Sequence, residues 1–267
     1  MAWKNWRRHF ERNRQRPLPA LDGELGIPEA WRDVLAGSLG RFMLGETGEG
    51  RIVNEIRGAD LRGVDDDYRE SLRLFVAEEG RHARILGEIL KAMGAKAPGH
   101  HWTERAFRRA RGLMGVRLKL VVLLTAEVIA EGFYGALADG LPEGQIADAL
   151  KQIVRDEGHH LDFHVDFLQQ QVPGRARKTG FVLLWWSVAG LGCVVALFDH
   201  REVLRAAGVS LPELGVHLVR LIRKTGARVV NKDHGLVVSD LGGMFEYSRG
   251  SRRAQAVSLA RRYRYAG

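Results

Sequence analysis

Residues 75–86, FVAEEGRHARIL, and residues 153–164, IVRDEGHHLDFH, each carry a glutamate followed three positions later by a histidine: Glu79 with His82, and Glu157 with His160. Residues i and i+3 of a helix lie on one face, about one turn apart. Roughly 30 residues upstream of each pair stands another glutamate, Glu46 in FMLGETGEGRIV and Glu127 in VVLLTAEVIAEGF. A loop and most of two helices take up that length, so an antiparallel neighbour returns its glutamate to the height of the pair. Doing this twice gathers four carboxylates and two imidazoles in a bundle core, which is the donor set of a di-metal carboxylate site. Oxygen and imidazole donors without thiolate suit iron or manganese, and zinc also accepts them.

A single Glu-x-x-His carries little weight, because helices are full of both residues on solvated faces. The combination carries more, because all four segments read as apolar-lined helices. Around Glu127 the run KLVVLLTAEVIAEGF is almost wholly apolar, and a lone buried carboxylate there is costly unless paired or metal-bound. Some choices stay open. Glu49 and Glu131 sit close to one turn beyond Glu46 and Glu127, so either member of each pair can be the ligand, and spacing favours the earlier ones. His164 lies one turn after His160, as an extra ligand, a partner of one, or a satisfied or exposed histidine. His159 points away from this face.

These residues resemble the ferritin-like di-iron carboxylate superfamily: rubrerythrins, ribonucleotide reductase small subunits, multicomponent monooxygenase hydroxylases, demethoxyubiquinone hydroxylases and p-aminobenzoate N-oxygenases. The resemblance covers roughly Pro28 to Gln171. Glu79-Gly80-Arg81-His82 is similar to the Glu-x-Arg-His of oxygen-activating members. Asp156 before Glu157 resembles their Asp-Glu-x-x-His, in which the aspartate orients a liganding histidine; Glu78 holds the same place in the first motif. The Gly-Glu-Thr-Gly around Glu46 is similar to the first ligand segment of the rubrerythrin group. The resemblance implies an all-α fold, a ferritin-like four-helix bundle with additional C-terminal helices. It also implies two iron ions, or a manganese–iron pair, held by Glu46, Glu79, His82, Glu127, Glu157 and His160 and supported by Glu78, Arg81 and Asp156.

The chain of 267 residues is 45% hydrophobic, enough for one sizeable core. Seven prolines and no long strand-like alternation favour helices throughout. Its single cysteine, Cys193, excludes an intrachain disulfide and a cysteine-based metal site, and fits a cytoplasmic setting. The two-Cys-pair iron domain of many rubrerythrins is absent, so electrons come from an external donor or from the substrate. No secretory signal is visible at the basic N-terminus. The net charge of +9 is concentrated at the ends. Residues 4–16 carry Lys4, Arg7, Arg8, Arg12, Arg14 and Arg16 against Glu11, and six arginines follow Glu246. Such ends suit an anionic membrane surface or nucleic acid. The reading adopted is solvated tails, with no nucleic-acid partner expected and peripheral membrane contact kept as an alternative.

Four segments follow: a basic N-terminal segment 1–27, a di-metal bundle 28–172, accessory helices 173–230, and a basic tail 231–267. Within the bundle one helix should run from Pro28 to Arg57, its glycines at 37, 40, 45, 48 and 50 permitting close approach of a backbone or a substrate. A second should run from an Asp65 or Asp66 cap to Gly94. A third starts at Thr103 and ends near Ala138; a fourth spans Pro142 to Pro173. His100 and His101 read as surface residues in the linker. Residues 181–198, FVLLWWSVAGLGCVVALF, hold no charge, at the lower limit of a membrane span. They read first as a helix covering the bundle, with an interfacial or membrane helix and a homodimer interface as alternatives. His200 reads as a capping or ion-pair residue, and SLPELGVHLVRLIRKTGARVV as a basic amphipathic helix.

The expected function is a non-heme di-iron oxygenase that uses dioxygen to hydroxylate, desaturate or N-oxygenate a small apolar substrate, with Phe42, Phe133, Tyr134 and Phe163 as candidate pocket walls. Two alternatives stand beside it: a rubrerythrin- or ferritin-like protein that handles iron or reduces peroxide, and a membrane-associated helical protein without catalysis.

Overall fold

The computed structural model describes residues 2–23, 25–47, 50–96 and 115–231. Among them the chain is helical, without strands. In order come α1 (Ala2–Arg14), a 3-10 turn (Glu29–Trp31), α2 (Arg32–Glu46), α3 (Arg51–Arg57), α4 (Asp66–Ala92), α5 (Val116–Gly140), α6 (Gln145–Gln171), α7 (Arg175–Asp199), α8 (Arg201–Ala206) and α9 (Leu211–Val230).

The long helices begin and end on local signals. The Asp65 carboxylate accepts the Tyr68 N–H at 2.7 Å and caps α4. Gly94 beyond its end takes φ +71°, the left-handed turn that glycine adopts without strain. The buried face of α4 runs through Leu72, Phe75, Glu79, His82, Leu86 and Ile89. That of α6 runs through Leu150, Ile153, Glu157, His160, His164 and Leu168. Apolar periodicity therefore turns both Glu-x-x-His pairs inward.

The expected helix 28–57 is not continuous. It opens as a 3-10 turn and breaks between Glu46 and Arg51, where Gly45 and Gly50 lower helix propensity. At three of its glycines no neighbouring backbone comes close: at Gly45 and Gly50 a side chain would meet nothing, and at Gly37 only Arg41 Nη1 at 3.8 Å. Tight approaches lie in later helices. A Cβ at Gly226 would stand 2.6 Å from Trp185 Cδ1, and one at Gly140 would stand 2.6 Å from the Ala207 carbonyl. α5 ends at Gly140, close to expectation; the proposed start at Thr103, with His100 and His101, lies outside the described residues, as do Gly48, Glu49 and residues 232–267. α6 begins at Gln145, three residues after Pro142, and ends before Pro173.

α5 and α6 form the tightest pair, joined by residues 141–144; α2 and α3 pack on α4, and α3 also reaches α5. α7 lies against α5 and α9, and α9 reaches α5 and α6. Asp199 ends α7, and REVLRA, after His200, folds as the separate short helix α8. The N-terminal segment is not a solvated tail. α1 packs along α4 with Trp3 and Phe10 buried, and the Trp6 indole donates to Asp166 at 2.8 Å. Trp3, Trp6 and Phe10 recur at helical spacing, an apolar stripe in an otherwise charged segment. Burial of each large side chain contributes roughly 1.5–3 kcal/mol.

Among the described residues, two helices are long and apolar enough to cross a membrane, α5 and α7. The apolar window of α5 is 89% buried and that of α7 is 22% buried, so only α7 presents its apolar surface outward.

Candidate metal centre

α4 contributes Glu79 and His82, and α6 contributes Glu157 and His160; one donor atom from each lies within 4.8 Å of all the others. All four are buried. Both rings turn Nδ1 toward the carboxylates. His82 Nδ1 lies 3.1 Å from Glu157 Oε1 and 3.9 Å from Glu79 Oε1. His160 Nδ1 lies 2.8 Å from Glu79 Oε1 and 3.3 Å from Glu157 Oε2. Glu127 enters from α5, its Oε2 3.4 Å from His160 Nδ1. Glu46, the last residue of α2, lies close to Glu79, and its Oε1 accepts the Tyr134 hydroxyl at 2.9 Å. The six residues singled out by spacing thus meet in one region.

The outer nitrogens of the rings are held crosswise. His82 Nε2 faces Asp156 Oδ2 at 3.3 Å, and His160 Nε2 faces Glu78 Oε2 at 3.3 Å. Each acid therefore orients the histidine of the other motif. A carboxylate on Nε2 keeps the proton there and leaves the Nδ1 lone pair facing inward. Arg16 joins the two supports, its Nη2 donating to Glu78 Oε1 at 2.9 Å and to Asp156 Oδ1 at 2.6 Å. Sequence reasoning missed Arg16, which is one arginine among many in the basic segment. The support expected from Arg81 takes another form: its guanidinium donates to the carbonyls of Arg16 and Pro17 at 3.2 and 2.7 Å. Arg81 clamps the strand of backbone that carries Arg16 and reaches neither ring.

The electrostatics follow from crowding negative charge in a buried space. Burial, with Glu79 and Glu157 close by, pushes the Glu46 and Glu127 carboxyls well above the ordinary range. Burial works in the same direction on Glu157, but the His160 and His82 rings beside it prevail and hold it well below. Burial opposes the charged form of His82, yet Asp156 and Glu157 raise it to about 9. His160 is likewise raised against burial, chiefly by Glu79 and Glu127. Glu78 and Asp156 are lowered despite burial, Glu78 by His160, and Asp156 by His82 and Arg16.

The remaining candidates occupy the margin. Glu131 is buried, with Oε2 lacking a hydrogen-bond partner, and burial with nearby Glu157 raises its carboxyl to about 7. Glu127, not Glu131, is the member of that pair that touches His160. His164 Nε2 lies 3.7 Å from Glu127 Oε1, neither ring nitrogen has a hydrogen-bond partner, and burial with nearby His160 pushes it down to about 3. It is a neutral imidazole at the edge of the cluster. Glu49 lies outside the described residues. His159 lies against His9 of α1, ring centroids 4.4 Å apart and planes tilted by 59°, away from the cluster. His200 accepts or donates with Ser38 Oγ at 2.7 Å beside Asp199, consistent with a structural role. Phe42 and Phe133 stack with centroids 4.5 Å apart and flank Tyr134. Phe163 instead packs among Trp3, Phe10 and Tyr68 under α1.

The residues present fit a metal. Glu79 Oε1, Glu157 Oε1 and His82 Nδ1 are buried without a hydrogen-bond partner and face one shared space. Buried carboxylates at this density are costly unless cations neutralise them. Glu79, His82, Glu157 and His160 can hold a metal ion, and their oxygen and imidazole donors suit iron, manganese or zinc. No family model, no curated protein and no solved structure matches this chain.

Proposed function

We propose that this protein is a non-heme di-iron oxygenase built on a ferritin-like four-helix bundle, acting on a small apolar substrate. The observation that carries it is the buried meeting of Glu79, His82, Glu157 and His160 with Glu127 and Glu46 at their side. Four carboxylates and two imidazoles match the two-metal donor set of such bundles. Two ferrous ions bound there would supply the electrons that reduce dioxygen.

The chain supplies the rest. Asp156, Glu78 and Arg16 fix the two rings so that each keeps a proton on Nε2 and turns Nδ1 inward, where a metal would displace the second proton. The Tyr134 hydroxyl holds the Glu46 carboxyl in place at 2.9 Å. Phe42 and Phe133, against Tyr134, make an apolar wall on that side that excludes water and suits an apolar substrate. With one buried cysteine and no cysteine cluster, the chain depends on an external electron donor.

The test is the metal content of full-length protein loaded anaerobically with ferrous iron, followed by dioxygen uptake. The reading requires about two irons per chain, their loss in His82→Ala and Glu157→Ala, and uptake that quickens with a suitable apolar substrate. Many irons per chain would favour iron storage. A stable chain that takes up no metal would make the Glu/His cluster a buried polar network.

A further inference from the structure

The accessory helix α7 is fastened to the bundle along its length by one narrow stripe. Phe181, Trp185, Ala189 and Cys193, four residues apart, are its buried positions. The Trp185 indole donates to the Ile222 carbonyl of α9 at 2.8 Å, and a Cβ at Gly192 would stand 2.9 Å from Thr125 Cγ2 of α5. The helix therefore lies flat on the bundle. Its outer side is apolar from residue 183 to residue 198: Leu183, Leu191, Val194 and Phe198 are 64–68% exposed, with Trp186 at 40%. The exposed hydroxyls of Thr179 and Ser187 donate back to the Arg175 and Leu183 carbonyls at 3.2 and 2.9 Å. Val216 and Val219 of the neighbouring α9 are also half exposed.

We propose that this face seats the protein on an anionic phospholipid bilayer, with α7 lying in the plane of the interface. Apart from the Trp186 indole N–H, which an interfacial tryptophan directs to the headgroup level, the face offers a partner apolar side chains, which suits hydrocarbon. Cations border it. Arg175 and Arg177 are exposed at the start of α7, and Arg205 is exposed just beyond its end. The Arg201 guanidinium lies 4.3 Å from the Phe198 ring centroid, and Arg220 and Arg223 stand exposed beside the two valines of α9. Apolar side chains with a basic border are the pattern of an interfacial helix drawn to anionic headgroups. Two other occupants fit less well. A second copy would set one basic border against another, and like charges across an interface oppose association. A spanning helix would have to leave α5 and α9, breaking the Trp185 contact. The seat does not depend on the metal reading, since none of its residues belongs to the cluster.

The experiment is cosedimentation of the full-length chain with vesicles of phosphatidylcholine, with and without phosphatidylglycerol. The chain should pellet with the anionic vesicles and much less with phosphatidylcholine alone. Leu191→Glu/Val194→Glu, whose positions are exposed, should lower the partition at least about tenfold while far-UV circular dichroism stays unchanged. Binding that persists in the double variant would assign it to the basic ends of the chain and overturn the proposal. So would a chain that ignores vesicles but forms a dimer dissolved by the same substitutions. Should the double variant misfold, Trp186 decides: brominated lipid should quench the emission of the unaltered chain, and Trp186→Phe should remove most of that quenching. Equal quenching in both would overturn the seat.

Discussion

Arg16 has the widest consequences of any single side chain around the cluster. One nitrogen of its guanidinium bonds two carboxylates that would otherwise repel each other, and those carboxylates hold the two rings. Arg16→Ala should leave the helices formed and weaken zinc binding about 10–100-fold, read by competition with a chromophoric chelator. A binding constant unchanged by the substitution would show that the rings are held without it. His82 supports a second prediction, for the metal-free protein. Its folded pKa, about 9, lies above the unfolded value near 6.5. The stabilisation it brings is therefore complete below about pH 6.5 and disappears as pH rises through about 9, a loss on the order of 3 kcal/mol. Denaturant unfolding of metal-free protein at pH 6, 7.5 and 9.5 should show that decline, and His82→Gln should flatten it. The inward-facing residues were legible in the sequence because the i, i+3 spacing and apolar neighbours are local properties. Arg16 was not, because it sits 62 and 140 positions from its partners and nothing nearby distinguishes it from Arg12 or Arg14.

At the level of helices, ends were easier to read than interruptions. Asp65 and Gly94 act on their own few residues and mark α4 correctly. The break after Glu46 was missed because apolar residues continue on both sides of the glycine-rich stretch. The break changes the setting of Glu46, which becomes the end of α2 instead of an interior position. The register between α7 and α9 depends on one glycine. Gly226→Ala would drive a methyl against the fully buried Trp185 indole, whose N–H is committed to the Ile222 carbonyl. Overpacking of this kind costs about 1–3 kcal/mol, more than the gain in helix propensity of up to about 1 kcal/mol. Gly190→Ala, with nothing within 4 Å of the added methyl, should show only the gain. Chemical denaturation of the two variants should move in opposite directions; a stabilised Gly226→Ala would mean that the indole shifts at little cost.

On the scale of the whole molecule, the basic N-terminal segment changes meaning once α1 is seen to pack. Composition alone presents residues 4–16 as a charged tail. The three aromatic side chains at helical spacing decide otherwise, and their stripe was present in the sequence but overshadowed by the charge around it. α1 and the cluster are mechanically linked. α1 lies along α4, the chain leaving it is clamped by Arg81, and Arg16 projects from that stretch onto Glu78 and Asp156. Loosening α1 should therefore reach the centre. Trp3→Ala, which empties a site between Tyr68 and Phe167, should cost about 3–5 kcal/mol in denaturant unfolding and weaken zinc binding in the same direction as Arg16→Ala. Arg7→Ala is the control: its ion pairs with Glu11 and Asp67 are exposed, so it should leave both stability and metal binding nearly unchanged. If Trp3→Ala lowered stability yet left zinc affinity at its original value, Arg16 would keep its place through the Arg81 clamp alone, and α1 would serve the fold without serving the centre.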